Sequence, residues 1–275
     1  MNGMVKISMS RTERIRIGIV QFKADNDEPG ENLEKATSYI ENLVEEDVNI
    51  VVLPEMFNSG YGTDEDTVKN AVEMQEETEE VLSALADYND IAIVGGMVNK
   101  TKDGLFNSTV IMLPYLEAIY YNKTHLFREE KKVFTPGKEF KSFEYSGVKF
   151  GLLMCYEIGF PEISRKLCRQ GAEVLLVPFA FGRERRMIYD TATRARSIEN
   201  GCFLAAASQV GSNKFMNFVG ESRIVSPSGE IIADCGGAEG FAFADVDTKL
   251  VKRYRFNESR DSHGYFSNFR EDLYV

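Results

Sequence analysis

The chain has 275 residues, 43% of them hydrophobic and 27% charged, the composition of an ordinary globular protein with length for one large core or two small ones. Its net charge of −11 opposes a phosphate backbone, so nucleic-acid binding is disfavoured, whereas a small-molecule substrate asks nothing of this balance. No apolar run approaches the roughly 18 residues of a membrane span, so no membrane partner is expected.

Residues 1–14 are polar and partly basic, lack the apolar centre of a signal peptide, and read as a flexible tail ahead of the first strand. Ile15–Gln21 reads as that strand. Asn32–Glu46 has helical periodicity, with Leu33, Ala36, Ile40 and Leu43 on one face. Val48–Leu53 is a second strand ending in Pro54-Glu55, and Asn58 to Gly62 a loop. Glu73–Asp87 is a helix whose acidic run Glu76–Glu80 is a solvated face. Ile91–Val98, Phe106–Leu113 and Ala118–Asn122 are strands, the last leading directly into Lys123. Phe140–Tyr145 and Val148–Met154 form a hairpin about Ser146-Gly147. Glu162–Gln170 is a helix, and Val174–Val177 a strand stopped by Pro178. Arg183–Asn200 is a long helix ending at Gly201, a common C-terminal cap residue. Phe203–Ser208, Gly220–Val225, Ile231–Ala233 and Phe241–Val246 are further strands. A polar and aromatic tail with Tyr265, Phe266, Phe269 and Tyr274 closes the chain. Alternating strands and helices that give way to hairpins, without a linker or repeat, indicate one α/β unit over residues 15–275, with a mixed sheet or two packed sheets.

Three strands end on a reactive side chain: Glu55, Lys123 and Cys155. Sites in α/β sheets gather beyond the carboxyl ends of strands, so these three can meet at one rim. Cys155 sits where a buried strand turns into a helix punctuated by Gly159 and Pro161. Nearby helix N–H groups there favour the thiolate. In a coherent chemistry Cys155 is the nucleophile, Glu55 the general base, and Lys123, with the backbone N–H of Tyr156, the oxyanion partner. Each has a bland alternative, namely an inert buried thiol, a turn carboxylate and a solvated amine. A Cys155–His125 dyad is the rival use of the same nucleophile. With only two histidines, His125 and His263, acid–base chemistry falls to carboxylate or lysine. The four cysteines, Cys155, Cys168, Cys202 and Cys235, are scattered. They form no zinc knuckle or disulfide framework and fit a reducing cytoplasm.

Leu53 to Phe57, Asn122 to Phe127 and Leu153 to Glu157 resemble, in order and spacing, the three signature segments of the nitrilase superfamily, the carbon–nitrogen hydrolases. Phe134-Thr135-Pro136-Gly137 is similar to the family's F-x-P-G, Phe160-Pro161-Glu162 to its F-P-E, and Arg194 to Asn200 to its R-A-x-x-x-E-N helix end. The resemblance implies a four-layer αββα sandwich, usually paired into a homodimer or larger homo-oligomer. It also implies a Glu55–Lys123–Cys155 triad, no cofactor or metal, and a second glutamate that holds the lysine. Counting back from Gly137 places that glutamate at Glu130, with Glu129 its alternative. Tyr61, Tyr156, Phe160 and Phe179 are candidates for an aromatic substrate-pocket wall.

Two departures bear on substrate. Many members carry an arginine before F-P-E, where this chain has Gly159, and Ile158-Gly159 supplies no carboxylate-binding arginine after the cysteine. That lowers the case for an N-carbamoyl-D-amino acid. Arg183, Arg185 and Arg186 follow Pro178 to Phe181, a stretch that borders the pocket in this family. One of them could bind a substrate carboxylate, although helix-surface or dimer-contact roles are commoner. The expectation is a cytoplasmic amidohydrolase that acts on a small linear amide or N-carbamoyl compound through a cysteine thioester. A nitrile hydrolase and a non-catalytic, partner-binding member of the fold are the alternatives.

Overall fold

Alternation along the central strands dictates four layers. In a strand, successive side chains point to opposite faces, and here both faces are apolar and buried. Ile17, Ile19, Ile50 and Val52 share one core with Val148, Phe150, Leu152, Val174 and Leu176. Their neighbours Val51, Leu53 and Ile93 share another with Leu33, Ala36, Ile40, Leu82 and Ala86 of two helices. Leu175, Val177 and Leu204 share a third with Ile163, Leu167 and Tyr189. The first core lies between two sheets, and the other two lie between each sheet and its helices.

The computed structural model describes residues 13–256 and 260–273. One sheet has the order β12-β1-β2-β3-β4-β5 and the other β11-β10-β9-β8-β7-β6. The first consists of β1 (Arg14–Gln21), β2 (Ile50–Val52), β3 (Ala92–Thr101), β4 (Gly104–Met112), β5 (Ile119–Asn122) and β12 (Gly240–Asp247). The second consists of β6 (Ser142–Tyr145), β7 (Val148–Leu152), β8 (Val174–Phe179), β9 (Phe203–Ser208), β10 (Arg223–Val225) and β11 (Ile231–Asp234). Three parallel strands form the centre of each, β1–β2–β3 in one and β7–β8–β9 in the other. The helices are α1 (Pro29–Val44), α2 (Glu65–Glu73), α3 (Gln75–Asn89), α4 (Glu130–Val133), α5 (Pro161–Arg169), α6 (Arg186–Asn200) and α7 (Thr248–Arg255). This is the expected αββα sandwich.

The structure corrects several sequence boundaries. The expected 73–87 helix is α3, and a further helix not expected from the sequence, α2, precedes it and meets it at Met74. The Asp64 side chain caps α2 by accepting from the Thr67 N–H, but the segment is too polar to show a hydrophobic stripe. Helix α7, capped by Asp247 accepting from the Lys249 N–H at 2.9 Å, was hidden for the same reason. Pro178 does not stop its strand, since β8 runs on to Phe179. Arg14 belongs to β1 rather than to the tail. Glu13 is tied down too, its carbonyl accepting from the Thr248 N–H at 2.9 Å, whereas residues 1–12 and Tyr274 lie outside the described residues. Among the described residues no helix is long and apolar enough to cross a membrane.

Candidate active site

The carboxyl ends of β2, β5 and β7 converge. Glu55 follows β2, Lys123 follows β5, and Cys155 opens a 3₁₀ turn (Cys155–Gly159) after β7. Glu130, at the start of α4, completes the group. Lys123 Nζ donates to Glu55 Oε1 at 2.7 Å and to Glu130 Oε1 at 2.9 Å, and all three side chains are fully buried. Glu129 is exposed and pairs with Lys132 at 2.6 Å, so Glu130 is the one that faces the lysine.

Backbone geometry explains why F-x-P-G lies beside this lysine. Gly137 N–H donates to Lys123 O at 2.9 Å, and a Cβ on Gly137 would stand 2.0 Å from Asn122 O. Any side chain there would push the lysine segment out of place. Cys155 has a φ of +46°, a left-handed conformation costing on the order of 1–2 kcal/mol for a non-glycine residue, the kind of strain that clusters at functional sites.

Each carboxylate has further partners. Glu55 Oε1 accepts from Asn107 Nδ2 at 2.8 Å and Oε2 from the Ala180 N–H at 3.0 Å, while Gln209 Nε2 donates to the Glu55 carbonyl at 2.7 Å. Glu130 accepts from the Tyr61 hydroxyl at 2.9 Å and from the Phe127 N–H at 2.9 Å. Tyr61, expected on an aromatic wall, is thus engaged through its hydroxyl. Asn107 and Gln209 were not singled out in the sequence. A buried Asn inside β4 and a Gln just past β9 give no local signal.

These surroundings set the charges. Burial disfavours the Lys123 ammonium, but Glu130 and Glu55 outweigh it and hold the group well above its usual range. Burial raises Glu130 above the ordinary carboxylate value, with Lys123 opposing. Burial pushes the Cys155 thiol well up, and the neighbouring Glu55 carboxylate adds to it. Burial thus outweighs the nearby helix N–H groups, which favour the thiolate. Glu55 reaches the sulfur from the other sheet, and nothing local to Cys155 announces it. The arrangement is a protonated thiol beside a carboxylate, with an ammonium held ready nearby. Among the described residues no group of three His, Cys, Asp or Glu side chains is placed to hold a metal ion.

Other candidates divide. Tyr156 is half-buried, its ring 5.0 Å from Phe127 and edge-on to Phe160 at 5.3 Å, so both stand beside the cysteine. Phe179 lies in the core. Its fully buried ring packs at 5.1 Å from Tyr189 and 5.8 Å from Phe181, in the core beneath α6. Side-chain parity puts it there, because Phe179 shares the face of Leu175 and Val177. His125 packs against Phe160 with ring centroids 4.2 Å apart and planes tilted by 33°, and its Nδ1 meets Thr124 Oγ1 at 2.8 Å. No hydrogen bond joins it to Cys155 among the described residues.

Glu157 is the other residue the sequence undervalued. Its buried carboxylate accepts from Tyr121 Oη at 2.7 Å, Thr124 N–H at 2.8 Å, Thr124 Oγ1 at 2.6 Å, His125 N–H at 3.2 Å and Met154 N–H at 2.9 Å. It ties the segment after Lys123 to the segment before Cys155. Burial raises its pKa, but the bonds from the His125, Thr124 and Tyr121 side outweigh that and leave it lowered. A lowered carboxyl adds stability that is present above the unfolded value, about 4.3, and is lost as pH falls through the folded one. Glu157→Gln should therefore cost about 1.5–3 kcal/mol near neutrality and flatten the acid side of a melting-temperature profile. An unchanged profile would refute this role.

The chain matches the carbon-nitrogen hydrolase family model over residues 16–256. It is 32% identical to a nitrilase from Pyrococcus abyssi, with 94% of this chain and 99% of that one covered. It is 33% identical to 2-oxoglutaramate amidase from Bacillus subtilis, with 94% and 98% covered. Among solved structures, the C. elegans NitFhit protein superposes with a TM-score of 0.87 at 29% identity, covering 95% of this chain and 66% of that longer one. Sequence matches over nearly the whole length and a shared αββα architecture place this chain in the carbon–nitrogen hydrolase family of the nitrilase superfamily.

Proposed function

We propose that residues 15–275 act as one catalytic unit, an amidase that hydrolyses a small linear amide or N-carbamoyl compound through a thioester on Cys155. The observation that carries this reading is the buried Lys123 ammonium, bonded to Glu55 at 2.7 Å and to Glu130 at 2.9 Å beside a buried thiol. A partner-binding protein has no use for such a cluster, whose burial is costly unless every charge is paired.

The steps follow from the charges. Cys155 Sγ attacks the amide carbonyl as Glu55 takes its proton. Lys123 and the Tyr156 N–H stabilise the oxyanion. The tetrahedral intermediate collapses, and Glu55 returns the proton to the departing nitrogen, which leaves as ammonia or an amine. Water then attacks the thioester carbonyl with Glu55 as base, releasing the carboxylic acid and restoring the thiol. Glu130 and Asn107 hold Lys123 and Glu55 in place throughout.

Amides are favoured over nitriles because 2-oxoglutaramate amidase and omega-amidases stand among the relatives. The relative titled nitrilase keeps nitrile hydrolysis as the second reading. Helix α6 leaves Met187 77% and Ile188 51% exposed, which supports pairing with a second copy. Four free cysteines suit a reducing, cytoplasmic setting. The test is ammonia release from a panel of amides, carbamoyl compounds and nitriles. Turnover confined to nitriles would favour the second reading, and no turnover of any class would remove both.

A further inference from the structure

The segment from Arg194 to Asn200 closes α6, and its buried half grips the chain that follows Cys155. Arg194 is half-exposed, donates to Gly229 O at 2.7 Å and faces Asp190 at 3.6 Å. Arg196 points the other way and is only 8% exposed. Its Nε donates to Ile158 O at 3.0 Å, and its Nη1 donates to Glu199 Oε1 at 3.1 Å. Asn200 Nδ2 donates to Ser164 Oγ of α5 at 3.2 Å and to Arg196 O at 2.9 Å. Arg196 and Asn200 thus hold the chain on either side of Pro161, the first residue of α5.

That chain needs holding. Cys155 sits at φ +46°, and a left-handed backbone in a non-glycine residue persists only where its surroundings over-determine it. The 3₁₀ turn Cys155–Gly159 contributes short-range bonds of its own, Glu157 N–H to Met154 O at 2.9 Å and Phe160 N–H to Glu157 O at 3.0 Å. Two buried charged side chains bracket the strained residue from outside that ladder. Before the cysteine, the Glu157 carboxylate accepts from the Met154 N–H at 2.9 Å. After it, the Arg196 guanidinium donates to Ile158 O. A cation suits that place, because carbonyls at the end of a helical turn lack partners within it and carry partial negative charge. A guanidinium also fixes direction, since its fork is planar and Glu199 takes another of its N–H groups.

We infer that Arg196 is a positioning residue for the nucleophile: by holding Ile158 O it fixes the turn in which Cys155 keeps its left-handed backbone and Tyr156 presents its N–H to the oxyanion. It acts through the backbone and not on the reacting atoms. Without the guanidinium the Ile158 carbonyl loses this donor, and the turn can relax toward an ordinary φ. A shift of about 1 Å at a reacting atom is enough to cost on the order of 10²-fold in rate. This inference deepens the amidase reading and rests on it.

Arg196→Gln should lower kcat and kcat/KM together by about 10–100-fold and leave KM little changed, because the turn serves the transition state rather than ground-state binding. Arg196→Lys, which keeps a cationic donor on the same side of the turn, should recover part of the loss. It carries the comparison if Arg196→Gln does not fold. Glu199→Gln is the control for a structural effect. It removes the charge that pairs with the guanidinium but leaves the bond to Ile158 O, so it should lower the melting temperature and spare kcat. Equal kcat losses in Arg196→Gln and Glu199→Gln, or a wild-type kcat per titrated Cys155 in Arg196→Gln, would mean a structural role and overturn the assignment. A second readout avoids amide turnover. Alkylation of Cys155 by iodoacetamide, followed site by site by mass spectrometry to separate it from Cys168, Cys202 and Cys235, should slow in Arg196→Gln and keep its rate in Glu199→Gln. An unchanged rate in Arg196→Gln overturns the assignment whatever the substrate. Silence of wild-type protein on all amides, with alkylation still sensitive to Arg196, would instead sink the amidase reading and leave Arg196 as the holder of a reactive thiol.

Discussion

Cys155→Ala protein should keep its sandwich and lose ammonia release from every amide that wild-type protein hydrolyses. The expected loss is on the order of 10⁶-fold, the scale seen when a covalent nucleophile is removed. Stability should change little, because alanine keeps the Cβ and the left-handed backbone at φ +46°. Measurable turnover in this variant would end the thioester mechanism. The same chemistry fixes a pH profile. Burial and Glu55 hold the Cys155 thiol well above its usual value, and Glu130 and Glu55 hold the Lys123 ammonium there despite burial. Neither group changes charge between about pH 7 and 9, so kcat/KM should be flat where a free thiol, at about 8.5, would ionise. A rise there would mean that the resting nucleophile is a thiolate. A Cys–His mechanism predicts an inactive His125→Ala and a mild Glu55→Gln. Given the packing of His125 against Phe160, we expect the reverse order of damage.

Lys123→Met should be the most damaging change to both activity and fold. Loss of one oxyanion partner costs about 10²–10³ in rate. The same change leaves Glu55 and Glu130 buried without their common cation, and breaking a buried ion pair typically costs about 3–5 kcal/mol. The pH sign is definite. Burial already raises the Glu130 carboxyl and Lys123 opposes that, so without Lys123 it rises further and the cost is full above its folded value. It fades as pH falls toward about 4, where the unfolded chain's carboxyls also take up protons. Urea midpoints at pH 7 and pH 5 should show the variant closing part of its gap to wild type at the lower pH. An equal gap at both would mean that the lysine does not neutralise the pair. If the variant does not fold, Glu130→Gln offers a milder form of the experiment, since Glu55 then remains paired.

How much of this was legible depended on how local each cause was. Glu55, Lys123 and Cys155 stood out because each follows an apolar run, and strand ends in α/β folds are where chemistry collects. Gly137 stood out as part of a motif, and the structure supplies its reason in the Asn122 carbonyl 2.0 Å from a would-be Cβ. Asn107 and Gln209 were silent, because their partner Glu55 lies 52 and 154 residues away in the chain. At Cys155, burial, with the Glu55 carboxylate from the other sheet adding to it, outweighs the local N–H groups that favour the thiolate, and neither is visible in the residues around the cysteine. The face of β8 that Phe179 occupies follows from strand parity and not from its residue type, and α2 and α7 were missed because of their polar composition.

The site straddles the two sheets. Glu55 and Lys123 hang from the first, and Cys155 and Ala180 from the second. Polar bonds at the rim lock one to the other, among them Ala180 N–H to Glu55 at 3.0 Å, Gln209 to the Glu55 carbonyl at 2.7 Å, and Met154 N–H to Glu157, whose carboxylate also holds Thr124. The large core between the sheets is apolar and non-directional, so it resists separation far better than sliding. A small shear could therefore part the nucleophile from its base while every strand stays paired. On the proposed mechanism, catalysis would report the alignment of two sheets joined through one apolar core. Under mild heat or denaturant, hydrolysis should fail before the secondary structure does.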